Sequence, residues 1–215
     1  LLYILSVASV AVYGIVLAGW SSANKYSLLG GLRASAQMIS YEIALGLSIM
    51  GPIMLAGTMS LQGIIAAQQE SIWYAALQPV AALVFFLAGM AEVNRAPFDM
   101  PEAEQELTAG YFTEYSGMKF SLFFMGEYIK MVAVSAIATT LFFGGYLWPF
   151  VEQLPWLGIL YFTIKTGALL FLMIWIRLTM PRLRYDQLMA FGWKVLLPVS
   201  LANVVVTATV IVLGD

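Results

Sequence analysis

The sequence contains no cysteine and no histidine. Their absence excludes thiolate clusters, zinc centres, histidine-ligated haem, disulfide frameworks and cysteine nucleophiles, and it leaves carboxylates, lysine, tyrosine and water to carry protons. Charge is scarce as well. Asp, Glu, Lys and Arg make up 10% of the chain against 61% hydrophobic residues, a balance outside the range of soluble globular domains and suited to a lipid bilayer. The net charge of −2 conceals an uneven distribution along the chain. No fixed-period repeat or low-complexity stretch stands out. Neither a basic leader nor a small-residue cleavage site marks a signal peptide. The sequence opens at Leu1 inside an apolar run without an initiator Met, which reads as a truncated start with more chain before it.

What is abundant is uncharged apolar sequence. A membrane helix needs roughly 20 such residues to cross a hydrocarbon core about 30 Å thick. Runs of this kind predict spans near 1–20, 36–58, 72–92, 119–143 and 194–214, and the stretch 157–177, with Lys165 inside it, predicts a sixth. The expected fold class is all-α: a polytopic membrane helix bundle with six transmembrane helices in one domain, residues 1–215, and a long acidic loop over 93–118. Pro52, Pro79 and Pro198 fall inside spans, where they predict kinks rather than ends. Lys25 and Arg33 follow the first span, Arg95 and Lys119 bracket the loop after the third, and Arg177, Arg182, Arg184 and Lys194 surround the loop after the fifth. The alternate loops, about 59–71 and 144–156, carry only Glu70 and Glu152. By the positive-inside rule the basic loops face the cytoplasm, or the matrix of an organelle, and both chain ends point outward.

The acidic loop breaks the apolar pattern. Asp99, Glu102, Glu104 and Glu106 fall within eight residues. Pro97 and Pro101 favour extended conformations before them and so end the third span. From Pro101 the run PEAEQELTAG suits a short helix with acids in its first turn, Glu102 and Glu106 on one face and Glu104 on the other. A solvated acidic loop complementing a helix dipole would explain these residues alone. Carboxylates continue into the spans on either side, however: Glu92 ends the third, Glu127 lies inside the fourth, and Glu114 falls between. A carboxylate at membrane depth costs on the order of 3 kcal/mol and faces a partner or a hydrated cavity. Lys130 is three residues beyond Glu127, so a local ion pair is the simplest account of both. Arg95 is expected to be held by Asp99, Glu102, Glu106 or a carboxylate of a partner protein. Lys165 could snorkel to an interface. Arg33, Gln37 and Tyr41 recur every four residues beside Glu42, which suits either a helix emerging from the headgroups or one step of a proton path. Together Glu42, Glu92, Glu114 and Glu127, with Lys130 and Lys165, form a candidate chain of proton-exchanging groups in a protein without histidine.

These residues lie in recognisable signatures. The stretch AEVNRAPFDMPEAEQELTAGYFTEYSGMKFSLFFMGEY resembles the signature region of the membrane-embedded H subunit of the proton-pumping NADH:quinone oxidoreductase, respiratory complex I. NKYSLLGGLRASAQMISYEIALG and PRLRYDQLMAFGWKVLLPVSLANVV resemble the family's earlier and C-terminal signatures. The resemblance is collinear over essentially all 215 residues. It implies a longer, eight-span protein, of which this chain would lack the first two spans and an amphipathic helix between them. It also implies a non-redox membrane subunit that completes a quinone chamber, anchors the peripheral redox arm and begins the path of proton translocation. On that account Arg95, Asp99, Glu102, Glu104 and Glu106 belong to a loop against peripheral partner subunits, and Glu42, Glu92, Glu114 and Glu127 to an acidic funnel. Quinone would be the substrate, while NADH, FMN and iron–sulfur clusters would sit in partner subunits. The implied location is the bacterial cytoplasmic membrane or the mitochondrial inner membrane. Phe112 stands where the family often has a polar residue and is assigned no role. Competing readings are the homologous subunit of a membrane-bound hydrogenase or other donor:quinone complex, an independent ion transporter, for which inverted repeats are not seen, and a purely structural anchor.

Overall fold

The computed structural model describes residues 1–95, 97–99, 110–148 and 156–214, and among these every regular element is helical. α1 spans Leu2–Ser21 and is apolar all round, with Leu2, Tyr3, Val7, Val10 and Tyr13 exposed. Such exposure is what lipid, not water, accommodates. α2 spans Lys25–Ala56. Its start is fixed by the Asn24 side chain, which accepts a hydrogen bond from the Tyr26 amide at 3.1 Å. Its end is fixed by Gly57 at φ 66°, whose N–H donates to Ile53 O at 2.9 Å.

α2 begins well before the expected boundary at residue 36 and takes Lys25 and Arg33 out of the loop. The cause lies in its first turns, where small residues (Gly30, Gly31, Ala34, Ser35) let neighbouring segments approach closely and are themselves buried. At 32 residues and about 1.5 Å per residue, α2 is roughly 48 Å long, well beyond one hydrocarbon thickness. It is the central element, packing against α1, α5 and α9 (below). Gly30 sits where an added Cβ would meet Gly110 Cα at 2.7 Å, a backbone contact that cannot swing away. Gly30→Ala is therefore expected to lower stability by about 1–3 kcal/mol, measured as the thermal midpoint of the purified protein in detergent; an unchanged midpoint would show that the 110–112 turn does not seat on α2.

The third expected span is divided. The outward loop contains α3, Leu61–Glu70, and the span itself consists of α4, Tyr74–Leu77, and α5, Pro79–Glu92. Pro79 is the first residue of α5 and not a kink within it, because Gln78 at φ −132°, ψ 64° leaves the helical region. The Gln78 amide crosses to Thr207 Oγ1 at 3.0 Å, so the break is held by a side-chain bond. The remaining helices are α6, Gly117–Phe142; α7, Trp156–Thr179; α8, Tyr185–Phe191; and α9, Leu197–Gly214. A π-helical turn, Gly192–Leu196, joins α8 to α9, so Pro198 follows a widened turn in a continuous run, Tyr185–Leu213. Among the described residues, five helices (α1, α2, α6, α7 and the α8–α9 run) are long and apolar enough to cross a membrane, and α5 is a shorter apolar helix.

Contacts sort the connections onto two ends. At one end Leu183 N–H donates to Pro97 O at 3.1 Å, Arg33 lies over the Tyr185 ring at 5.6 Å, and Ser21 Oγ is 2.7 Å from Tyr115 Oη. At the other, the amino group of Leu1 reaches Met59 O at 3.5 Å and Gln68 donates to Thr140 O at 3.1 Å. The basic loops thus gather at one end, as the charge pattern requires.

Candidate functional site

The site is built where α5 ends. Gln37, fully buried on α2, donates to Ala91 O at 2.9 Å and Phe98 O at 2.8 Å. One amide thus binds the last turn of α5 and the chain that leaves it. Between them Asn94 adopts φ 56°, a left-handed conformation that asparagine tolerates better than most residues. This turn carries Arg95 off the course of the α5 helix. Glu92 and Arg95, 8% and 3% exposed, both reach α6.

There the charges cross. Arg95 Nη2 is 3.1 Å from Glu127 Oε2, and Lys130 Nζ is 3.2 Å from Glu92 Oε1. α5 runs toward the basic end and α6 runs away from it, so the order Glu then Arg on one strand of chain meets the order Glu then Lys on the other with opposite signs at both levels. The Glu127–Lys130 pair expected within one helix turn is thus replaced by two pairs between segments. Glu127 is also a partner for Arg95 that spacing along the chain did not indicate. The Arg95 guanidinium further lies over Tyr128 at 4.7 Å and Phe124 at 5.6 Å, which suits a buried, weakly hydrated cation. A cavity of about 220 Å³ opens beside the pairs, lined by Glu92, Asn94, Glu127 and Lys130 together with apolar residues that include Ile15, Met38 and Phe123.

The remaining sequence candidates are placed elsewhere. Glu42 is half-buried on α2 and accepts a hydrogen bond from Ser9 Oγ of α1. Glu114 is exposed at the basic end, where Asn24 Nδ2 donates to it at 3.0 Å. Asp99 is half-buried just past the turn, and Glu102, Glu104 and Glu106, with the short helix expected around them, lie outside the described residues. Lys165 reaches the turn that follows α6. Its ammonium donates to the carbonyls of Phe143, Gly145 and Leu147 at 2.7, 3.1 and 2.7 Å, and lies 4.8 Å and 5.3 Å from the ring centres of Trp73 and Trp148. Phe112 is buried among Tyr111, Phe120, Phe123 and Phe124, an aromatic setting that accounts for an apolar residue there. Asn94 has no role in the sequence reading; its left-handed backbone is what the motif alone did not reveal.

A polytopic helical membrane protein with paired charges buried at one end of its bundle is the class these features define. The chain belongs to the NADH dehydrogenase family, whose sequence model matches residues 1–208. It is similar to the NADH-quinone oxidoreductase H subunit of Protochlamydia amoebophila, 56% identical over 206 residues covering 96% of this chain and 62% of that protein. The second of the H subunits of Geobacter metallireducens is 57% identical, covering 98% and 60%, and the H subunit of Rickettsia canadensis is 52% identical, covering 100% and 64%. The chain therefore spans about six-tenths of the length of these curated relatives.

Proposed function

We propose that this chain is part of a membrane subunit of an NADH:quinone oxidoreductase, where it contributes to the quinone chamber, anchors the peripheral arm and begins the carboxylate path of proton translocation. Family membership and collinear similarity to subunits of that name support the assignment. The observation that carries the mechanism is the buried, crossed set Glu92–Lys130 and Arg95–Glu127 opening on a cavity. Two carboxylates and two cations balance, so the set tolerates burial. Negative charge developing nearby on a reduced quinone disturbs that balance and draws a proton to a carboxylate. Quinone would supply the electron sink. The chain's own groups would orient charge and exchange protons, and the loop containing Asp99, Glu102, Glu104 and Glu106 would dock the peripheral subunits in the cytoplasm. Glu42, Glu114 and Lys165 would extend the line of proton-exchanging groups.

The experiment is Glu127→Gln in the full-length subunit within the intact complex, since Gln keeps the shape but cannot exchange the proton. Quinone reductase rate and proton uptake in vesicles, normalised to assembled complex, are expected to fall about tenfold or more, with NADH oxidation by the peripheral arm retained. Unchanged rate and uptake would refute the proton-path assignment of Glu127.

A further inference from the structure

Asn94 lines the cavity and is 4% exposed. Its Nδ2 donates to Met38 Sδ at 3.5 Å. A thioether accepts but cannot donate, so this contact fixes the amide orientation. Oδ1 is left buried with no hydrogen-bond partner among the described residues. An orphaned buried acceptor costs about 1–3 kcal/mol, and native proteins relieve that cost with an ordered water where space allows. Space is present: the cavity of about 220 Å³ far exceeds the volume of one water.

The same cavity supplies the water's other partners. The Lys130 ammonium has three N–H donors and an ion pair with Glu92 at 3.2 Å, and Glu127 lines the cavity beside it. We propose that Asn94 Oδ1 anchors a water between the two ion pairs, which hydrogen-bonds across them and makes Asn94 a positioning residue for proton exchange between Glu92 and Glu127. This inference rests on the proton-path assignment above. The water accepts from Lys130 and donates to Asn94 Oδ1 and to a carboxylate oxygen, so the orphaned amide oxygen gains a donor. A proton taken in from one carboxylic acid is matched by a proton handed to the other carboxylate, and the water is regenerated. A quinone carbonyl does not suit the same point, because it would set one acceptor against another. The backbone φ of 56° both aims the amide at the cavity and restricts which residues can replace it.

Asn94→Gly tests the inference, since Gly keeps the left-handed backbone and removes only the amide. A map of the unmodified intact complex that resolves waters should show one within hydrogen-bond distance of Asn94 Oδ1. In vesicles with a short-chain benzoquinone analogue, Asn94→Gly should lower kcat and proton uptake about three- to tenfold per assembled complex, with KM for the quinone unchanged. A cavity without water density overturns the inference, including when Asn94→Gly fails to assemble. So does normal proton uptake in Asn94→Gly while Glu127→Gln remains impaired, an outcome that spares the proton-path assignment. Normal uptake in both variants would overturn the two together.

Discussion

Arg95→Ala is expected to cost about 3–5 kcal/mol of stability and most of the assembled protein, because it leaves the Glu127 carboxylate, 11% exposed and 3.1 Å from the guanidinium, without that charge partner. The loss is larger than Coulomb attraction at a surface would give, since both side chains are largely buried. Arg95→Lys should recover only part of it. A lysine restores the charge but lacks the planar face that lies against Tyr128 and Phe124. The decisive comparison is a double-mutant cycle. Arg95→Ala combined with Glu127→Gln should be less destabilised than the sum of the single changes by about 1 kcal/mol or more, a coupling on the scale of contacting residues. Thermal midpoints in detergent and yield of assembled complex measure it. Strict additivity would mean that the two side chains do not depend on each other.

Lys165→Met should destabilise the protein by on the order of 3 kcal/mol, even though it removes a charge from an apolar helix. The reason is what remains. The carbonyls of Phe143, Gly145 and Leu147 would lose the donor they share, and Trp73 and Trp148 would lose the cation near both rings. Gly144 and Gly145, at φ 70° and 56°, turn the chain so that these carbonyls converge; the backbone bonds of Gly145 N–H to Thr139 O and Leu147 N–H to Gly144 O remain, so the loss is confined to the three acceptors. Lys165→Arg should be intermediate, since a planar fork does not match three convergent acceptors as a compact ammonium does. Thermal unfolding with near-ultraviolet circular dichroism of the tryptophans reads the effect. A methionine variant as stable as the parent would show that the three bonds are not stabilising.

Helical membrane architecture was legible because hydrocarbon composition and loop charge both follow from bilayer physics, and neither requires knowledge of tertiary contacts. The break at Gln78 was not. Pro79 reads as tolerable inside a span; in the structure it disfavours a helical Gln78, and the bond from Gln78 to Thr207, more than a hundred residues away, holds the break that the sequence leaves open. The site was half legible. Glu92, Glu127, Lys130 and Arg95 stand out as charges in apolar surroundings, but their pairing depends on the antiparallel course of α5 and α6 and on the turn at Asn94. Sequence spacing favours the neighbour three residues away because it sees one helix at a time. Asn94 itself looks like an ordinary polar residue at a helix end until its backbone angle and its unsatisfied oxygen are known.

The carbonyl clamp around Lys165 also bears on how the protein is made. α6 and its following turn leave the ribosome before α7 does, so the acceptors for the ammonium exist before the lysine needs them. A lone α7 would carry its charge into lipid at a cost on the order of 3 kcal/mol, whereas α6 and α7 entering as a hairpin deliver lysine and acceptors together. Biogenesis of this half of the bundle is thus expected to be a pairwise event, and a ribosome stalled after α7 but lacking a competent 143–147 turn should yield a poorly inserted helix.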